Sequence, residues 1–114
     1  MTTKTDVEFF LNDFHTKMKV FDIFFENRTK NFNTLKDLEI SPSERISVIE
    51  KLKVIDYSEG PRKDNMADGP DMWIFGRVVE EEEIYIKITL GDFSSPVICI
   101  SFHIAEHPME YPFQ

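Results

Sequence analysis

The chain has 114 residues, a length at which one hydrophobic core forms and two do not, so we expect a single domain over residues 1–114. Its hydrophobic content of 41%, with eleven Phe and one Trp, is typical of a folded globular protein and excludes a disordered one. The net charge of −8 opposes a phosphate backbone and excludes broad nonspecific binding of nucleic acid. Any anionic ligand must therefore be held by a few local cations.

The first half of the chain carries helical patterns. Thr5 and Glu8 have the spacing of a capping box, and apolar residues follow them at helical spacing, which predicts a first helix from about Asp6 to Lys19. The segment 20–25 is rich in aromatic and β-branched residues and predicts a short strand.

Two further helices are expected before residue 56. A second helix is predicted to open at Lys30 or Asn33. A third is predicted from about Pro42 to Lys53, because Ser41 suits the N-cap, proline suits the first helical position and a glutamate stands three residues after the serine. The apolar positions expected to face the core in these helices are Phe32, Leu35, Leu38, Ile46, Ile49 and Leu52.

The second half carries turn and strand patterns. Segment 56–71 holds Gly-Pro, Asp-Asn and Asp-Gly-Pro, the turn chemistry of a long loop. Strands are predicted at 72–79, 84–90 and 97–104, with a solvated turn at the four glutamates 80–83 and an irregular tail from Ala105 to Gln114. Helices followed by antiparallel strands indicate an α+β fold, in which N-terminal helices (about 1–55) pack on a C-terminal β-meander (about 56–114).

The last two predicted strands alternate residue by residue between apolar and reactive side chains. Successive side chains of a strand point to opposite faces, so each set should share one face. The set expected in the core comprises Ile84, Ile86, Ile88, Leu90, Ile98, Ile100, Phe102 and Ile104. The set expected on the open face comprises Tyr85, Lys87, Thr89, Cys99, Ser101 and His103.

In the strand 72–79, either of the two alternating sets could face inward. If Trp73 and Arg77 join the open face, that face combines aromatic rings, cations and an imidazole, which suits single-stranded nucleic acid because rings stack on bases and cations meet phosphates. It also suits cleavage of RNA without a metal or cofactor, in which histidine is the natural acid or base near neutral pH. The competing interpretation is that these polar side chains are merely solvated.

The candidate residues follow from this chemistry. The candidate catalytic residues are His103, Tyr85, Lys87 and Arg77, and the candidate RNA-binding residues are Trp73, Ser101, Arg62 and Lys63, the last two from the predicted loop. The run His103-Ile-Ala-Glu106-His107 also matches the inverted zincin motif H-x-x-E-H. That motif needs a helix, whereas here the first histidine ends a strand and Pro108 follows the second, so we expect no metal site.

Two further exclusions concern location and redox chemistry. No stretch approaches the roughly 18 apolar residues of a membrane span, and the N-terminus has no apolar signal core, so we expect a cytoplasmic protein without a membrane partner. Cys99 is the only cysteine, which excludes an internal disulfide, and its place in an apolar run favours an inert thiol.

Several motifs resemble the MqsR-like toxins of type II toxin-antitoxin systems, which belong to the wider RelE-like group of mRNA endoribonucleases. The motifs are Leu52-Lys-Val-Ile-Asp-Tyr57, Met72-Trp73, Val79 through Ile84-Tyr-Ile-Lys-Ile-Thr89, and Val97-Ile-Cys-Ile-Ser-Phe102. The resemblance covers about the last two thirds of the chain. It implies a RelE-like α+β fold, cleavage of mRNA, possible action on the ribosome, and a cognate antitoxin protein that folds with the toxin or masks it.

The resemblance also implies site residues. The catalytic set proposed in that family is a lysine in the loop after an Asp-aromatic pair, a glutamine directly after the tryptophan, the tyrosine of the Tyr-x-Lys strand, and a lysine directly after Ser-Phe. Tyr85 matches, whereas the other positions hold Glu59 or its neighbours, Ile74 and His103. His103 is then a different proton carrier at the family's position. The competing function class is a noncatalytic domain of the same fold that binds a protein partner, which the acidic charge favours.

Overall fold

The computed structural model describes residues 1–63 and 69–114. It is an α+β fold, as the sequence predicts, with three N-terminal helices packed on a five-stranded sheet of order β1-β5-β4-β3-β2. The elements are α1 (Lys4–Phe21), β1 (Ile23–Phe25), α2 (Thr29–Leu38), α3 (Pro42–Glu50), a 3-10 turn (Val54–Asp56), β2 (Tyr57–Arg62), β3 (Met72–Val79), β4 (Glu82–Thr89) and β5 (Val97–Ile104). Of the helices in the described residues, none is long and apolar enough to cross a membrane.

The first helix starts earlier and ends later than predicted. Its capping box is formed by Thr3 and Asp6, because the Thr3 hydroxyl accepts the Asp6 N–H at 3.2 Å and the Asp6 carboxylate accepts the Thr3 N–H at 2.9 Å. The prediction of a strand from residue 20 is wrong at its start, since the helix runs to Phe21. Strand β1 pairs in parallel with β5 only over Ile23–Phe25.

The second helix faces the sheet partly as predicted. Leu38 is buried in the core and Leu35 packs against it, as expected. The prediction is wrong for Phe32, which is 66% exposed, and the polar residues Asn31 and Thr34 are buried instead. The reason is that α2 lies against the edge of β5 just beyond the end of β1, where a polar side chain is needed to meet the strand's backbone. The predicted capping box of α3, formed by Ser41 and Glu44, is confirmed.

The meander β3-β4-β5 is confirmed, and β3 and β5 have the predicted bounds. The predicted loop 56–71 is wrong over its first part, because Tyr57–Arg62 forms edge strand β2 against β3. Gly60 and Pro61 look like a turn in the sequence, but the register shifts in this strand accommodate them at a sheet edge. The rest of that prediction over 64–68 falls outside the described residues.

A register shift in β5 changes which of its side chains reach the core. Lys87 pairs with Ser101 but the next residue, Ile88, pairs with Cys99, so Ile100 is the extra residue of a β-bulge. Cys99 is therefore fully buried in the core, and the prediction that it lies on the open face is wrong. The prediction that Ile98 and Ile100 share the core face of β4 fails for the same reason, because alternation restarts at the bulge.

The core lies on one face of the sheet. It is built from α1 residues Val7, Phe10, Leu11, Phe14 and Met18, from Leu38, Ile40, Ile49 and Leu52, and from sheet residues that include Phe75, Ile84, Ile86, Ile88, Val97, Cys99 and Phe102. Burying such side chains contributes roughly 1.5 to 3 kcal/mol each, which holds the helices on this face. The opposite face, which we call the open face, is left for polar side chains of β4 and β5.

The C-terminal tail is irregular, as predicted, and packs back on the sheet. The carboxylate of Glu83 accepts the Tyr111 hydroxyl at 2.7 Å and the backbone N–H of Met109 at 3.0 Å. Gly76 lies beneath them, and a Cβ there would be 2.3 Å from the Tyr111 hydroxyl oxygen. Because Gly76 has no side chain, the tail has room to cross one end of the open face.

Candidate active site

Four of the predicted site residues lie together on the open face. In the antiparallel pair of β4 and β5, Tyr85 stands opposite His103 and Lys87 stands opposite Ser101. Directly opposed side chains of an antiparallel pair are roughly 5 Å apart at Cβ, so these four groups share one small area. Thr89 lies on the same face but is buried, and its hydroxyl donates to the carbonyls of Pro70 and Asp71. Thr89 is thus part of the scaffold.

The imidazole of His103 is held in a defined orientation. Its ring stacks on the Tyr85 ring with centroids 5.1 Å apart and planes 13° from parallel. Nδ1 lies 2.9 Å from the carbonyl oxygen of Ile104, and because a carbonyl only accepts, Nδ1 carries the proton in this bond. In the neutral ring Nε2 is then the proton acceptor.

A groove of about 890 Å³ opens above these residues. Its floor includes the four residues and Ile74, the neighbour of Lys87 on β3. The first turn of α2 and the segment after β5 line it as well, through Arg28, Thr29, Lys30, Asn31, Glu106, His107, Pro108, Met109 and Glu110, and β2 adds Ser58 and Glu59. Sequence reasoning missed the contribution of α2, because helical spacing alone does not show that its N-terminal turn docks beside β5.

The side chain of Asn31 fixes that docking. Its amide nitrogen donates to the carbonyl of Ile100 at 3.0 Å, and its amide oxygen accepts the N–H of Phe102 at 3.0 Å. One buried amide thus takes the place of a neighbouring strand on both sides of Ser101. The signal in the sequence was a polar residue at a position of α2 that its helical spacing turns toward the sheet.

The groove contains charges of both signs. Lys30 pairs with Glu106 across its rim at 2.5 Å, and this pairing lowers the pKa of the Glu106 carboxyl. Arg28 pairs with Glu26 at 2.9 Å. Burial raises the pKa of the Tyr85 hydroxyl, and of the smaller effects Arg62 lowers this pKa while Glu59 raises it. The Tyr85 hydroxyl is therefore a hydrogen-bond donor at neutral pH rather than a base.

Trp73 and Arg77 lie on the other face of the sheet. Trp73 stands opposite Ile88 and stacks on Phe10 of α1 at 4.6 Å, so it belongs to the core side. Arg77 donates to the carbonyl of Lys51 at 2.8 Å and lies 3.4 Å from the carboxylate of Asp56. The structure does not bring these two predicted residues together with His103.

Arg62 and Lys63 lie at the end of edge strand β2. Arg62 forms an ion pair with Glu59 at 2.5 Å, and Lys63 follows it on the exposed surface. Both lie outside the set of described residues that line the groove.

The motif H-x-x-E-H does not lie on a helix. His103 is in β5, which ends at Ile104, and the chain bends at Glu106 and His107 before Pro108. Among the described residues, no group of three or more His, Cys, Asp or Glu side chains is arranged to hold a metal ion. The two histidines of the motif therefore lack the shared helix face that zincin chemistry uses.

No protein-family model, no curated protein and no solved structure matches this chain.

Proposed function

We propose that the protein is the toxin of a type II toxin-antitoxin system and cleaves mRNA as a metal-free endoribonuclease of the MqsR-like and RelE-like kind. The observation that carries the proposal is His103 stacked on Tyr85 in a polar groove, with Nδ1 bound to a backbone carbonyl and Nε2 left as acceptor. The motif resemblance of Tyr85-Ile-Lys87 and Ser101-Phe-His103 supports it further.

In this proposal the RNA supplies its own nucleophile. Nε2 of His103 takes the proton of a ribose 2′-hydroxyl, the 2′ oxygen forms a bond to the adjacent phosphorus, and the bond from phosphorus to the 5′ oxygen breaks. The departing 5′ oxygen takes a proton from a water molecule, and His103 returns its proton to the hydroxide that remains. The products are a 2′,3′-cyclic phosphate and a 5′-hydroxyl, and the imidazole is neutral again. Lys87 stabilises the charge on the phosphorane, and the Tyr85 hydroxyl donates a hydrogen bond that polarises the phosphate.

Two features distinguish this site from the family pattern. Ile74 stands where the family has a glutamine, and it is fully buried beneath the groove. His103 stands where the family has a lysine after Ser-Phe. Because histidine accepts a proton near neutral pH far more readily than lysine does, the proposal gives proton transfer to His103 and charge stabilisation to Lys87.

A second candidate is a noncatalytic domain that binds a protein partner. The net charge of −8 favours it, since an acidic surface repels RNA. Within the groove, carboxylates also stand beside the cations, as in the pair of Lys30 with Glu106. A protein partner with a basic surface would suit this charge.

Induced expression in bacteria separates the two candidates. We expect the wild-type protein to arrest growth with fragmented transcripts, and His103→Gln to remove both effects at equal protein levels. His15→Gln is the matched control, because His15 lies on α1 and bonds the Ile49 carbonyl on the core side of the sheet. Normal growth with intact transcripts would favour the noncatalytic domain.

A further inference from the structure

We infer that the first turn of α2, together with Ser101, is a subsite that binds a backbone phosphate of the RNA. This inference rests on the proposed function and places one part of its substrate. Three observations carry it: the uncapped helix start, a serine hydroxyl that opens into the groove without a partner among the described residues, and an exposed ion pair of Lys30 with the protein's own Glu106 at the same end of the groove.

The first observation is the start of α2. This helix has ten residues, its N-cap is Arg28, and within the described residues no side chain caps it. The first backbone bond of the helix runs from the N–H of Phe32 to the carbonyl of Arg28. The N–H groups of residues 29–31 therefore have no partner in the helix, and these three residues line the groove. Such a helix end attracts anions.

The second observation is the Ser101 hydroxyl. Ser101 is only 4% exposed and lines the same groove, yet within the described part of the chain its hydroxyl has no hydrogen-bond partner. Asn31 holds the backbone on both sides of Ser101, so the hydroxyl lies beside the first turn of α2. Among the described residues the Ser101 oxygen is not one of the buried side-chain atoms that lack a partner, so it opens into the groove and can donate its proton to a phosphate oxygen.

The third observation is the pair of Lys30 and Glu106. Both side chains are more than half exposed, at 63% and 59%, so their 2.5 Å contact is weak in water and exchanges readily. Glu106 shows that a carboxylate reaches Lys30 at the rim of the groove. An RNA phosphate bound to the helix start would displace Glu106 and take Lys30 as its counterion.

The donors present define the ligand class. Backbone N–H groups, one hydroxyl and an ammonium all donate hydrogen bonds, which suits the oxygens of a phosphate rather than the edge of a base. Contacts of this kind position an RNA strand without reading its sequence. The subsite would thus fix the register of the strand relative to His103.

Amide NMR of the full-length protein tests the subsite without requiring cleavage. The probes are inorganic phosphate and a dinucleoside phosphate whose 2′-hydroxyl is methylated so that it cannot react, with sodium chloride at matched ionic strength as reference. We expect both probes, and not chloride, to shift the amides of residues 29–31 and Ser101.

Variants then assign the contacts. We expect Lys30→Gln to weaken binding of the dinucleoside phosphate by about threefold and Glu106→Gln to strengthen it by about threefold, as for exposed charged contacts. Ser101→Ala removes one hydrogen bond and should also weaken binding by about threefold. Lys36→Gln is the control, because Lys36 is exposed in the last turn of the same helix. Thermal unfolding checks that each variant is folded.

The outcomes separate the subsite from the enzyme activity. RNA cleavage without amide shifts, and with binding unchanged in the Lys30 and Ser101 variants, would overturn the subsite and leave the proposed function intact. Shifts with both probes in a protein that cleaves no RNA would support the subsite and count against the nuclease. Shifts with inorganic phosphate alone would overturn the assignment to an RNA phosphate.

Discussion

Two neighbouring side chains of β5 have opposite environments because of one extra residue. Cys99 is enclosed in the core and Ser101 lines the groove, although strict alternation would put them on the same face. The bulge at Ile100 separates them. The bulge therefore keeps the Cys99 thiol out of the groove.

The burial of Cys99 predicts a pH dependence. Burial raises the pKa of its thiol from 9.0 to about 12. Below pH 9 the thiol is protonated in both states, but between pH 9 and 12 it ionises only in the unfolded chain, so this contribution to stability is lost as pH rises. We expect it to lower the free energy of unfolding by about 1.4 kcal/mol at pH 10.

Denaturant titrations of wild type and Cys99→Ala at pH 8 and pH 10 measure that contribution. The loss on going to pH 10 should be larger in the wild type, because other titrating groups are common to both proteins. A thiol reagent should also leave the native protein unmodified at pH 8 and react after unfolding. If both proteins lost the same free energy of unfolding between pH 8 and pH 10, burial would not raise the pKa of the Cys99 thiol.

The buried side chain of Asn31 also allows a prediction about stability. Asn31→Ala leaves the carbonyl of Ile100 and the N–H of Phe102 without their partners, so we expect a loss of about 2 to 3 kcal/mol in the free energy of unfolding. Asn33→Ala, at an exposed position of the same helix, is the control. Similar losses in both variants would show that the amide does not hold the strand edge.

At the scale of elements, the hairpin between β3 and β4 has an unusual turn. Its two central residues, Glu80 and Glu81, both have positive φ, at 50° and 67°. This is the pattern of a two-residue type I′ turn, which favours Asn-Gly. The sequence predicts a four-residue turn here, but β4 begins at Glu82 because the pairing continues to the tight turn.

The turn predicts a stabilising substitution. We expect Glu81→Gly to raise the free energy of unfolding by about 1 kcal/mol, because glycine adopts positive φ without the clash that Cβ introduces. Glu82→Gly is the matched control and should destabilise, since that residue lies in β4 and pairs with Val79. Chemical denaturation compares the two variants, and a destabilised Glu81→Gly would contradict the turn geometry.

How well the sequence predicts each element depends on whether its signal is local. Strands β3 and β5 follow from alternation and have the predicted bounds. Strand β2 does not, because Gly60 and Pro61 mimic a turn while the pairing that makes them a strand lies in β3. The bulge at Ile100 cannot be predicted from the sequence of β5 alone either, since the register depends on how β5 pairs with β4.

The residues of the candidate site also differ in whether a local pattern in the sequence predicts their position. Tyr85, Lys87, Ser101 and His103 follow from alternation along β4 and β5. Trp73 and Arg77 could not be assigned to a face until β3 was paired, and Arg28 and Lys30 join the groove only because α2 docks against β5. The sequence thus predicts the groove residues on β4 and β5 but not those that α2 contributes.

At the scale of the whole molecule, charge limits how RNA could bind. With a net charge of −8, attraction must come from cations near the groove, of which Arg28, Lys30 and Lys87 line it. Each phosphate contact to single-stranded nucleic acid contributes about −0.7 to the slope of log K against log salt. We expect a slope of about −2, measured by fluorescence anisotropy with the His103→Gln variant and a short RNA. A slope near zero would contradict phosphate contacts in the groove.

Incubation of the purified protein with a defined RNA tests the proposal that His103 transfers the proton that starts cleavage. We expect fragments that end in a 2′,3′-cyclic phosphate, formed at the same rate with a chelator present. They should form at least a hundredfold more slowly with His103→Gln and at the wild-type rate with His15→Gln. Intact RNA with wild-type protein, or cleavage by His103→Gln at the wild-type rate, would contradict it.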